Sequence, residues 1–368
     1  MRVGIFYPDI HATGGYPRDI ARLCAAIGSC AGVEAVPIPS RAGGALSAPT
    51  MTAAFGLLPE FARSLQGLDL VHIFGMFFPG YPMLGSLARR HGIPYVVSPM
   101  CALLPAALER SRLKKKLFFR MGGLRFLRQA TCLHAFAEDE AQSFRALGLE
   151  GRVIRHPLGL FPEDLPVDLP SLPRVLDGRF LFCFGRLDMV QKGIDYLLEE
   201  FEEYVKQGGR LNLALAGKSW NGSHELIRRQ IAESGLEKRL LFLGEISLEA
   251  KYALLRDCAA FVYPTRHDGP PRPIREALAM RKRVLITHEA NIHDAVEACG
   301  WGYRFHPRPG ELCQAICALE SESEPPLYRD PMEELSWERL ARDMVSSYAC
   351  ILSACLGAAG ARPAPSVA

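Results

Sequence analysis

The feature that most constrains the fold of this chain is an alternation between short apolar runs and amphipathic stretches, which recurs along most of its length. Each apolar run has the length of a buried strand, and the stretches between them are long enough to form helices. Because parallel strands need crossover connections, this rhythm predicts parallel sheets covered by helices, an α/β fold. The predicted strands are, in order, RVGIFY, VEAVPI, LVHIF, IPYVVS, ATCLHA, RVIRH, RFLFCFG, LNLALAG, RLLFLG, AAFVYP and KRVLITH.

The alternation pauses once, at FPEDLPVDLPSLPRVLDG, whose prolines and acidic residues are typical of an interdomain linker. We therefore predict two Rossmann-like domains, at residues 1–165 and 166–335, which face each other across a deep cleft. Ligands of such sheets bind beyond the carboxyl ends of the strands, so the cleft is the expected site. The amphipathic helix at 336–356 is expected to pack back on the first domain, and residues 357–368 are expected to be disordered.

Composition argues against several classes of protein. The formal net charge of +3 is too small to indicate a nucleic-acid partner, and no nucleic-acid-binding motif supports one. The N-terminal run MRVGIFYPDI is interrupted too soon for a signal peptide, and no segment supplies the about 20 apolar residues that span a bilayer. The eleven cysteines are scattered without a CxxC pair, which predicts a reducing, cytoplasmic environment.

The first candidate site covers residues 183–198, CFGRLDMVQKGIDYLL. A strand is expected to end at Gly185, the cations Arg186 and Lys192 follow, and a helix begins near Gly193. Two fixed cations beside helix N-terminal amides would stabilise the negative charge that develops on a diphosphate leaving group. A solvated surface loop is an equally good interpretation of this segment taken alone.

The second candidate site covers residues 263–280, YPTRHDGPPRPIREALAM. A turn beginning at Gly269-Pro270 separates Asp268 from Glu276 and would bring backbone close to sugar hydroxyls or phosphate. Glu276 would project from the first turns of a helix, where it can accept hydrogen bonds from ribose hydroxyls. Taken alone, the acidic pair is better explained by helix capping, because acids complement the positive end of the helix macrodipole.

Together, the two segments resemble glycosyltransferase family 4, whose members have the GT-B architecture of two facing Rossmann-like domains. The resemblance rests on motifs in a fixed order, with matching strands between them. These motifs are Gly185-Arg186, Lys192-Gly193, Pro264, Asp268-Gly269 and Glu276-Ala277-Leu278-Ala279. The resemblance extends over nearly the whole chain but specifies no substrate.

The resemblance implies a role for each matched residue. Arg186 and Lys192 would hold the diphosphate of a nucleotide sugar, Asp268 the hydroxyls of the transferred sugar, and Glu276 the ribose. Arg186, Lys192 and Asp268 are thus the implied catalytic residues, although Asp268 stands where the family usually has the longer glutamate. The implied donor-binding set consists of Gly14, Gly15, Gly185, Gly217, Gly244, Glu245, Gly269, Pro270 and Glu276.

Two features of the first half also match the family in part. Gly14-Gly15 corresponds to a Gly-Gly loop after the first strand, where glycine lets the backbone approach a ligand. An ordinary strand-to-helix turn explains this pair as well. His72 ends another predicted strand and is a candidate contact to sugar or acceptor, although a histidine that bonds locally is the commoner case.

Other positions of the first half depart from the family pattern. Met100 and Cys101 stand where a histidine often contacts the donor sugar, and Met100 is therefore a second candidate for a sugar or acceptor contact. Phe136 and Ala137 replace small hydroxyl residues. These departures suggest a different acceptor side or an impaired enzyme.

The resemblance implies transfer with retention of anomeric configuration and without an essential metal or other cofactor, and no Asp-x-Asp motif follows a predicted strand. We expect a hexosyltransferase that uses a nucleotide diphosphate sugar and a saccharide or lipid-linked saccharide acceptor. Its expected role is in cell-surface polysaccharide or lipopolysaccharide biosynthesis. Two alternatives stay open: a GT-B nucleotide-sugar epimerase, and a catalytically impaired partner subunit that binds a nucleotide sugar.

The segment 112–128 concerns a further partner, because its cations alternate with apolar residues. This pattern is typical of a peripheral helix lying on an anionic membrane, here the inner face. A helix packed on the core with its cationic face in water is the commoner origin of such a pattern. The cations are Arg112, Lys114, Lys115, Lys116, Arg120, Arg125 and Arg128.

Overall fold

A computed structural model of the chain describes residues 1–8, 15–38, 51–149, 151–160, 165–166, 169, 179–322 and 329–360. The chain divides into two compact units. The first consists of Met1–Leu158 together with Trp337–Ala368, and the second of Gly159–Ser336. The boundary expected from the sequence, after residue 165, lies slightly further along the chain.

The first unit is built on a six-stranded parallel sheet in the order β2-β1-β3-β4-β5-β6. Its strands are β1 (Arg2–Phe6), β2 (Glu34–Ile38), β3 (Leu70–Phe74), β4 (Tyr95–Ser98), β5 (Cys132–Ala135) and β6 (Val153–Arg155). Its helices are α1 (Gly15–Gly28), α2 (Met51–Ser64), α3 (Tyr81–Arg90), α4 (Pro105–Glu109), α5 (Arg112–Phe118), α6 (Leu124–Arg128) and α7 (Glu138–Ala146). The helix that closes the chain, Trp337–Gly360, also belongs to this unit.

The second unit is built on another six-stranded parallel sheet, in the order β12-β11-β10-β7-β8-β9. Its strands are β7 (Phe180–Phe184), β8 (Asn212–Ala216), β9 (Leu240–Gly244), β10 (Ala260–Tyr263), β11 (Val284–Thr287) and β12 (Gly302–Phe305). Its helices are α8 (Ile194–Lys206), α9 (Ser223–Ser234), α10 (Leu248–Asp257), α11 (Arg272–Ala279), α12 (His293–Cys299), α13 (Glu311–Ser321) and α14 (Pro331–Glu334). Trp337–Gly360 is then α15. Two apolar clusters fill this unit, as expected for a sheet that is covered on both faces.

The prediction of α/β units with parallel sheets is confirmed, but the sequence missed strand β12. Only Phe305 of its four residues is buried, and the strand lies at the edge of its sheet. A half-exposed edge strand needs no continuous apolar run, so β12 lacks the sequence pattern that predicts the other strands.

Two predicted helices differ from those observed. Segment 112–128 is not one helix, because a π-helical stretch, Phe119–Gly123, separates α5 from α6. Gly122 there has a φ of 107°, which no continuous right-handed helix accommodates. At the other end, α15 continues through Gly360, beyond the start of the expected disordered tail at 357. Alanine is a strong helix former, which accounts for the extension through Gly-Ala-Ala-Gly, and residues 361–368 lie outside the described residues.

Candidate active site

The strand order of the second unit reverses between β7 and β10. The chain moves from β7 through β8 to one edge of the sheet, returns to β10, and continues to the opposite edge. Ligands of open parallel sheets bind in the crevice that such a reversal leaves at the carboxyl ends of the strands. The segment after β7 carries Arg186 and Lys192, and the segment after β10 carries Asp268. The fold therefore brings the three predicted catalytic residues to one edge of the sheet.

Three predicted donor-binding glycines form a row along the same edge. Gly185, Gly217 and Gly244 stand at the carboxyl ends of β7, β8 and β9. The amide of Gly217 donates to the carbonyl of Gly244 at 2.7 Å. A Cβ on Gly217 would lie 1.7 Å from the carbonyl oxygen of Gly185, and Gly217 has a φ of 148°. Only glycine fits here, so backbone rather than side chains forms this part of the edge.

Arg186 is held by two residues that the sequence did not single out. Its Nη2 donates to Oε1 of Gln191 at 2.8 Å, and its Cζ lies 4.4 Å from the ring centroid of Trp220. Trp220 is 39% exposed, which is unusual for so large an aromatic ring. A bond on one side and an aromatic face on the other fix the plane of the guanidinium, which favours paired hydrogen bonds to phosphate oxygens.

Lys192 and Asp268 form an ion pair in which Tyr263 takes part. The Nζ of Lys192 donates to Oδ2 of Asp268 and, at 2.9 Å, to the hydroxyl of Tyr263. The Tyr263 hydroxyl donates to the same Oδ2 at 2.8 Å. Burial, reinforced by the charge of Asp268, raises the pKa of Tyr263 well above its ordinary value, so Tyr263 stays a hydrogen-bond donor. Its position at a strand end, directly before the motif residue Pro264, is a signal that could have identified it.

The loop that carries Lys192 is fixed by close packing at its end. Gly193 adopts the left-handed conformation, with a φ of 66°, and immediately precedes α8. A Cβ on Gly193 would lie 2.0 Å from the carbonyl oxygen of Pro264. The two predicted motifs, Lys192-Gly193 and Pro264, are therefore in direct contact, and this contact sets the position of the lysine.

Glu276 lies on α11 and is almost fully enclosed. Its Oε2 accepts from Nζ of Lys251 at 3.0 Å, and its Oε1 accepts from the hydroxyl of Tyr252 and from Nε of Arg272, each at 3.1 Å. The side chains of Lys251 and Glu276 are only 7% and 6% exposed. A carboxylate offers about four acceptor positions, so these three donors leave one of them for a further donor such as a ribose hydroxyl.

The remaining donor-binding predictions lie at varied positions. The amide of Gly269 donates to Oδ1 of Asp268 at 3.0 Å, and Pro270 is buried just before α11 begins. Glu245 is exposed directly after β9. Gly15 is the exposed first residue of α1 and belongs to the first unit. Gly14 lies outside the described residues.

His72 is completely buried in the first unit. Its Nδ1 bonds the hydroxyl of Tyr348 at 2.7 Å, and its Nε2 bonds Oγ of Ser98 at 2.8 Å. Ser98 is in turn bonded to Nδ1 of His134. Burial lowers the pKa of His72 well below its ordinary value and that of His134 to about 3, so both rings are neutral. These bonds give no support to His72 as a sugar contact, and they tie α15 to the sheet.

Met100 and Cys101 form a strained turn after β4. Both have left-handed backbones, with φ of 60° and 61°, and both side chains are buried, which gives no support to Met100 as a sugar or acceptor contact. The turn is held by Glu140, whose Oε1 accepts from the Cys101 amide at 2.6 Å and whose Oε2 accepts from the Phe136 amide at 2.9 Å. Glu140 is fully buried, which raises the pKa of its carboxyl to about 7.

Within the described ranges, no cluster of three or more His, Cys, Asp or Glu side chains is arranged to hold a metal ion. No helix among the same residues is long and apolar enough to cross a membrane. All eleven cysteines are free thiols.

Two family profiles match the chain, one for each half. "Glycosyl transferase 4-like domain" matches residues 10–159, and "Glycosyl transferases group 1" matches residues 178–322. A GDP-mannose:cellobiosyl-diphosphopolyprenol alpha-mannosyltransferase of Xanthomonas campestris is 26% identical over 215 residues, which are 58% of this chain and 54% of the relative. The protein of the same name from Xanthomonas oryzae pv. oryzae matches to the same extent. The chain thus spans about half the length of the curated relatives that it matches.

Solved structures share the fold across nearly the whole chain. HepE from Anabaena, solved in complex with UDP, superposes with a TM-score of 0.69 at 17% identity and covers 95% of this chain and 100% of its own. Sucrose-phosphate synthase from Thermosynechococcus elongatus superposes with a TM-score of 0.66 at 16% identity, covering 96% and 99%. At these identities the likeness shows the fold alone.

The two parallel six-stranded units, which these structures match over nearly the whole chain, define the GT-B fold. With each half of the chain matched by a glycosyltransferase profile, the protein belongs to glycosyltransferase family 4.

Proposed function

We propose that the chain transfers a hexose, with retention of anomeric configuration, from a nucleotide diphosphate sugar to a saccharide or lipid-linked saccharide. We place this reaction in the biosynthesis of a cell-surface polysaccharide or lipopolysaccharide. The observation that carries the proposal is the meeting of Arg186, Lys192 and Asp268 at the strand reversal between β7 and β10. The relatives named for GDP-mannose and a diphosphopolyprenol-linked acceptor, and the neighbour solved with UDP, support the substrate classes.

Catalysis in this proposal is mainly electrostatic. As the bond to the sugar breaks, negative charge develops on the diphosphate, and Arg186 and Lys192 stabilise it in a site whose charges are already in place. Both cations supply counter-charge from the protein itself, so we expect transfer to need no divalent metal. The leaving phosphate accepts the proton of the attacking hydroxyl on the same face of the sugar, which retains the configuration.

Donor binding changes the partner of Lys192. Without ligand, its ammonium group is paired with Asp268. A diphosphate carries more negative charge than one carboxylate and attracts the ammonium towards itself, which releases acceptor positions on Asp268. Hydroxyls of the transferred sugar then donate to Asp268, while the Tyr263 hydroxyl keeps its carboxylate in place. The nucleotide part and the sugar part of the donor are thereby recognised together.

We further propose that the first unit contacts the membrane through α5 and the π-helical segment. Leu113, Leu117 and Met121, spaced four residues apart, are 83%, 57% and 56% exposed. At this spacing Leu113 and Leu117 share one side of α5, and Met121 follows them in the π-helical stretch. Exposed cations flank them at Lys114, Lys116 and Arg120. An apolar stripe between cations is the pattern of a helix that lies in the headgroup region of an anionic membrane, and it would bring a lipid-linked acceptor to the enzyme.

A panel of GDP- and UDP-sugars, first screened by thermal shift, tests the proposal by identifying the donor. Transfer is then measured with a polyprenyl diphosphate-linked saccharide as acceptor. Arg186→Ala should lower the transfer rate by about 10²–10³-fold, the effect of losing one preorganised charge donor. Arg210→Ala is the matched control, since its side chain is 87% exposed and pairs only with Glu320 among the described residues.

Unchanged transfer by Arg186→Ala would refute the assigned site. An epimerised nucleotide sugar formed without consumption of acceptor would show the epimerase instead. Binding of a nucleotide sugar without any product would favour the impaired partner subunit.

A further inference from the structure

The first unit contains a cavity of about 560 Å³ between α2, α3 and the segment from the π-helical stretch to α6. This volume falls in the range of sites that bind small molecules. Most of its lining is apolar, and the helices contribute Leu58, Pro59, Met83, Leu87, Met121 and Phe126. An aliphatic chain is the ligand that such a lining favours, because its burial removes apolar surface from water on both sides.

Two cations, Arg90 and Arg125, also line the cavity. Both side chains are exposed, and neither forms an ion pair with another residue in the described part of the chain. The helix of Arg90 and the segment 112–128 contain no acidic residue, and no ion pair joins Glu60 of α2 to either arginine within the described residues. An apolar cavity with two unneutralised arginines complements an amphiphile that has an anionic head, and arginine matches the geometry of a phosphate.

The cavity is separate from the strand ends where a parallel sheet binds its substrate. Arg90 is the last residue of α3 and shortly precedes β4, and Gln129, another lining residue, shortly precedes β5. This part of the cavity therefore lies towards the amino ends of the strands, whereas substrates of such sheets bind beyond the carboxyl ends. Met121 belongs both to the lining and to the exposed stripe with Leu113 and Leu117. The cavity thus adjoins the surface proposed to contact the membrane.

We propose that this cavity binds one anionic phospholipid, with an aliphatic chain between the helices and the headgroup phosphate on Arg90 and Arg125. The inference rests on the proposed membrane contact but not on glycosyl transfer. One bound lipid molecule would hold the first unit on the membrane. This contact would add to the electrostatic attraction between an anionic membrane and the cations of segment 112–128.

The test uses lysophosphatidylglycerol below its critical micelle concentration, with binding to the full chain followed by native mass spectrometry and thermal shift. The wild type should bind one molecule. Arg90→Gln combined with Arg125→Gln should weaken binding about tenfold or more, because two phosphate-binding cations are lost. Lys238→Gln combined with Arg229→Gln removes the same net charge from exposed positions of the second unit and should leave binding unchanged.

A second variant separates occupancy of the cavity from charge. Ser86 is exposed on α3 and lines the cavity, so Ser86→Phe fills it without removing a cation. This variant should lose the one-to-one complex while still sedimenting with phosphatidylglycerol vesicles. Leu117→Ser should show the reverse: weaker vesicle sedimentation and unchanged binding of the lysolipid. Equal binding by Ser86→Phe and wild type, or equally tight binding of lysophosphatidylcholine, would overturn the proposal. Loss of nucleotide binding, by contrast, would affect only the proposed transferase function.

Discussion

Replacing Glu276 by glutamine tests the buried network at the candidate donor site. The change removes the negative charge that Glu276 presents to the ammonium group of Lys251, whose side chain is only 7% exposed. Breaking a buried pair in this way costs about 3–5 kcal/mol. Arg272 is 27% exposed and can turn towards water, so its lost pairing adds little. In a unit of this size each kcal/mol lowers Tm by about 2–4 °C, so we expect Glu276→Gln to lower Tm by about 10 °C.

Differential scanning calorimetry without nucleotide measures this effect. Combining Lys251→Met with Glu276→Gln removes both charges and should recover at least half of the lost stability, because the ammonium group and the carboxylate that pairs with it are then removed together. Glu233→Gln is the control, since Glu233 is 69% exposed and only loosely paired with Arg229, at 3.8 Å. A Tm of Glu276→Gln within 2 °C of the wild type, or a double variant less stable than the single one, would show that this buried pair does not stabilise the unit as described.

The proposed ribose contact of Glu276 needs a separate readout, because a less stable protein also binds less ligand. The wild type should prefer a nucleotide with ribose hydroxyls over its 2′,3′-dideoxy analogue, since one acceptor position on Glu276 is available. At a temperature where both proteins are folded, Glu276→Gln should lose most of this preference. A variant that discriminates as well as the wild type would leave Glu276 a structural role only.

Three further predictions concern other residues. Trp220→Leu should weaken nucleotide binding about fivefold in calorimetric titration, because the aromatic face that orients Arg186 contributes about 1 kcal/mol. Trp220→Phe keeps an aromatic face and should weaken binding much less. Equal affinities of the two variants would contradict this role of Trp220. Glu140 has a folded-state pKa of about 7, above its unfolded value, so its contribution to stability is present at low pH and is lost as pH rises from about 4.5 to 7. Glu140→Gln should therefore flatten this part of the pH–stability curve measured in urea, and an identical curve would refute the assignment. Chelation by EDTA should leave the transfer rate unchanged. A tenfold loss of rate that a divalent cation restores would contradict the proposal that cationic side chains alone neutralise the diphosphate.

The grouping of the candidate donor residues was largely predictable because they occur in two short windows that follow strands. Strand ends converge at the edge of a parallel sheet, so motif order along the chain translates into proximity. Trp220 and Lys251 were not predictable in this way. Trp220 follows β8, and Lys251 lies on α10, before β10. The side-by-side order of β7, β8 and β10 brings Trp220 to Arg186 and Lys251 to Glu276. No spacing rule within one window can reveal such a neighbour.

The roles of residues in the first unit were harder to predict from the sequence, because the same local pattern is consistent with either a functional or a structural role. His72 stands at the end of an apolar strand, where either a ligand contact or a buried bond is consistent with the sequence. The structure shows buried hydrogen bonds from His72 to Ser98 and Tyr348, and Tyr348 lies 276 residues further along the chain. The sequence of segment 112–128 likewise predicts one helix, but the backbone of Gly122 is not helical.

The departures of the first unit from the family pattern belong to one local arrangement. Met100-Cys101 and Phe136-Ala137 form two loops, and the carboxylate of Glu140 accepts an amide from each. Two successive left-handed residues cost on the order of 1–3 kcal/mol each and persist only where the surroundings hold them. Unselected loss of function would not be expected to keep a strained turn together with a buried carboxylate whose two oxygens are both satisfied. We therefore expect the chain to be an active enzyme rather than the impaired partner subunit.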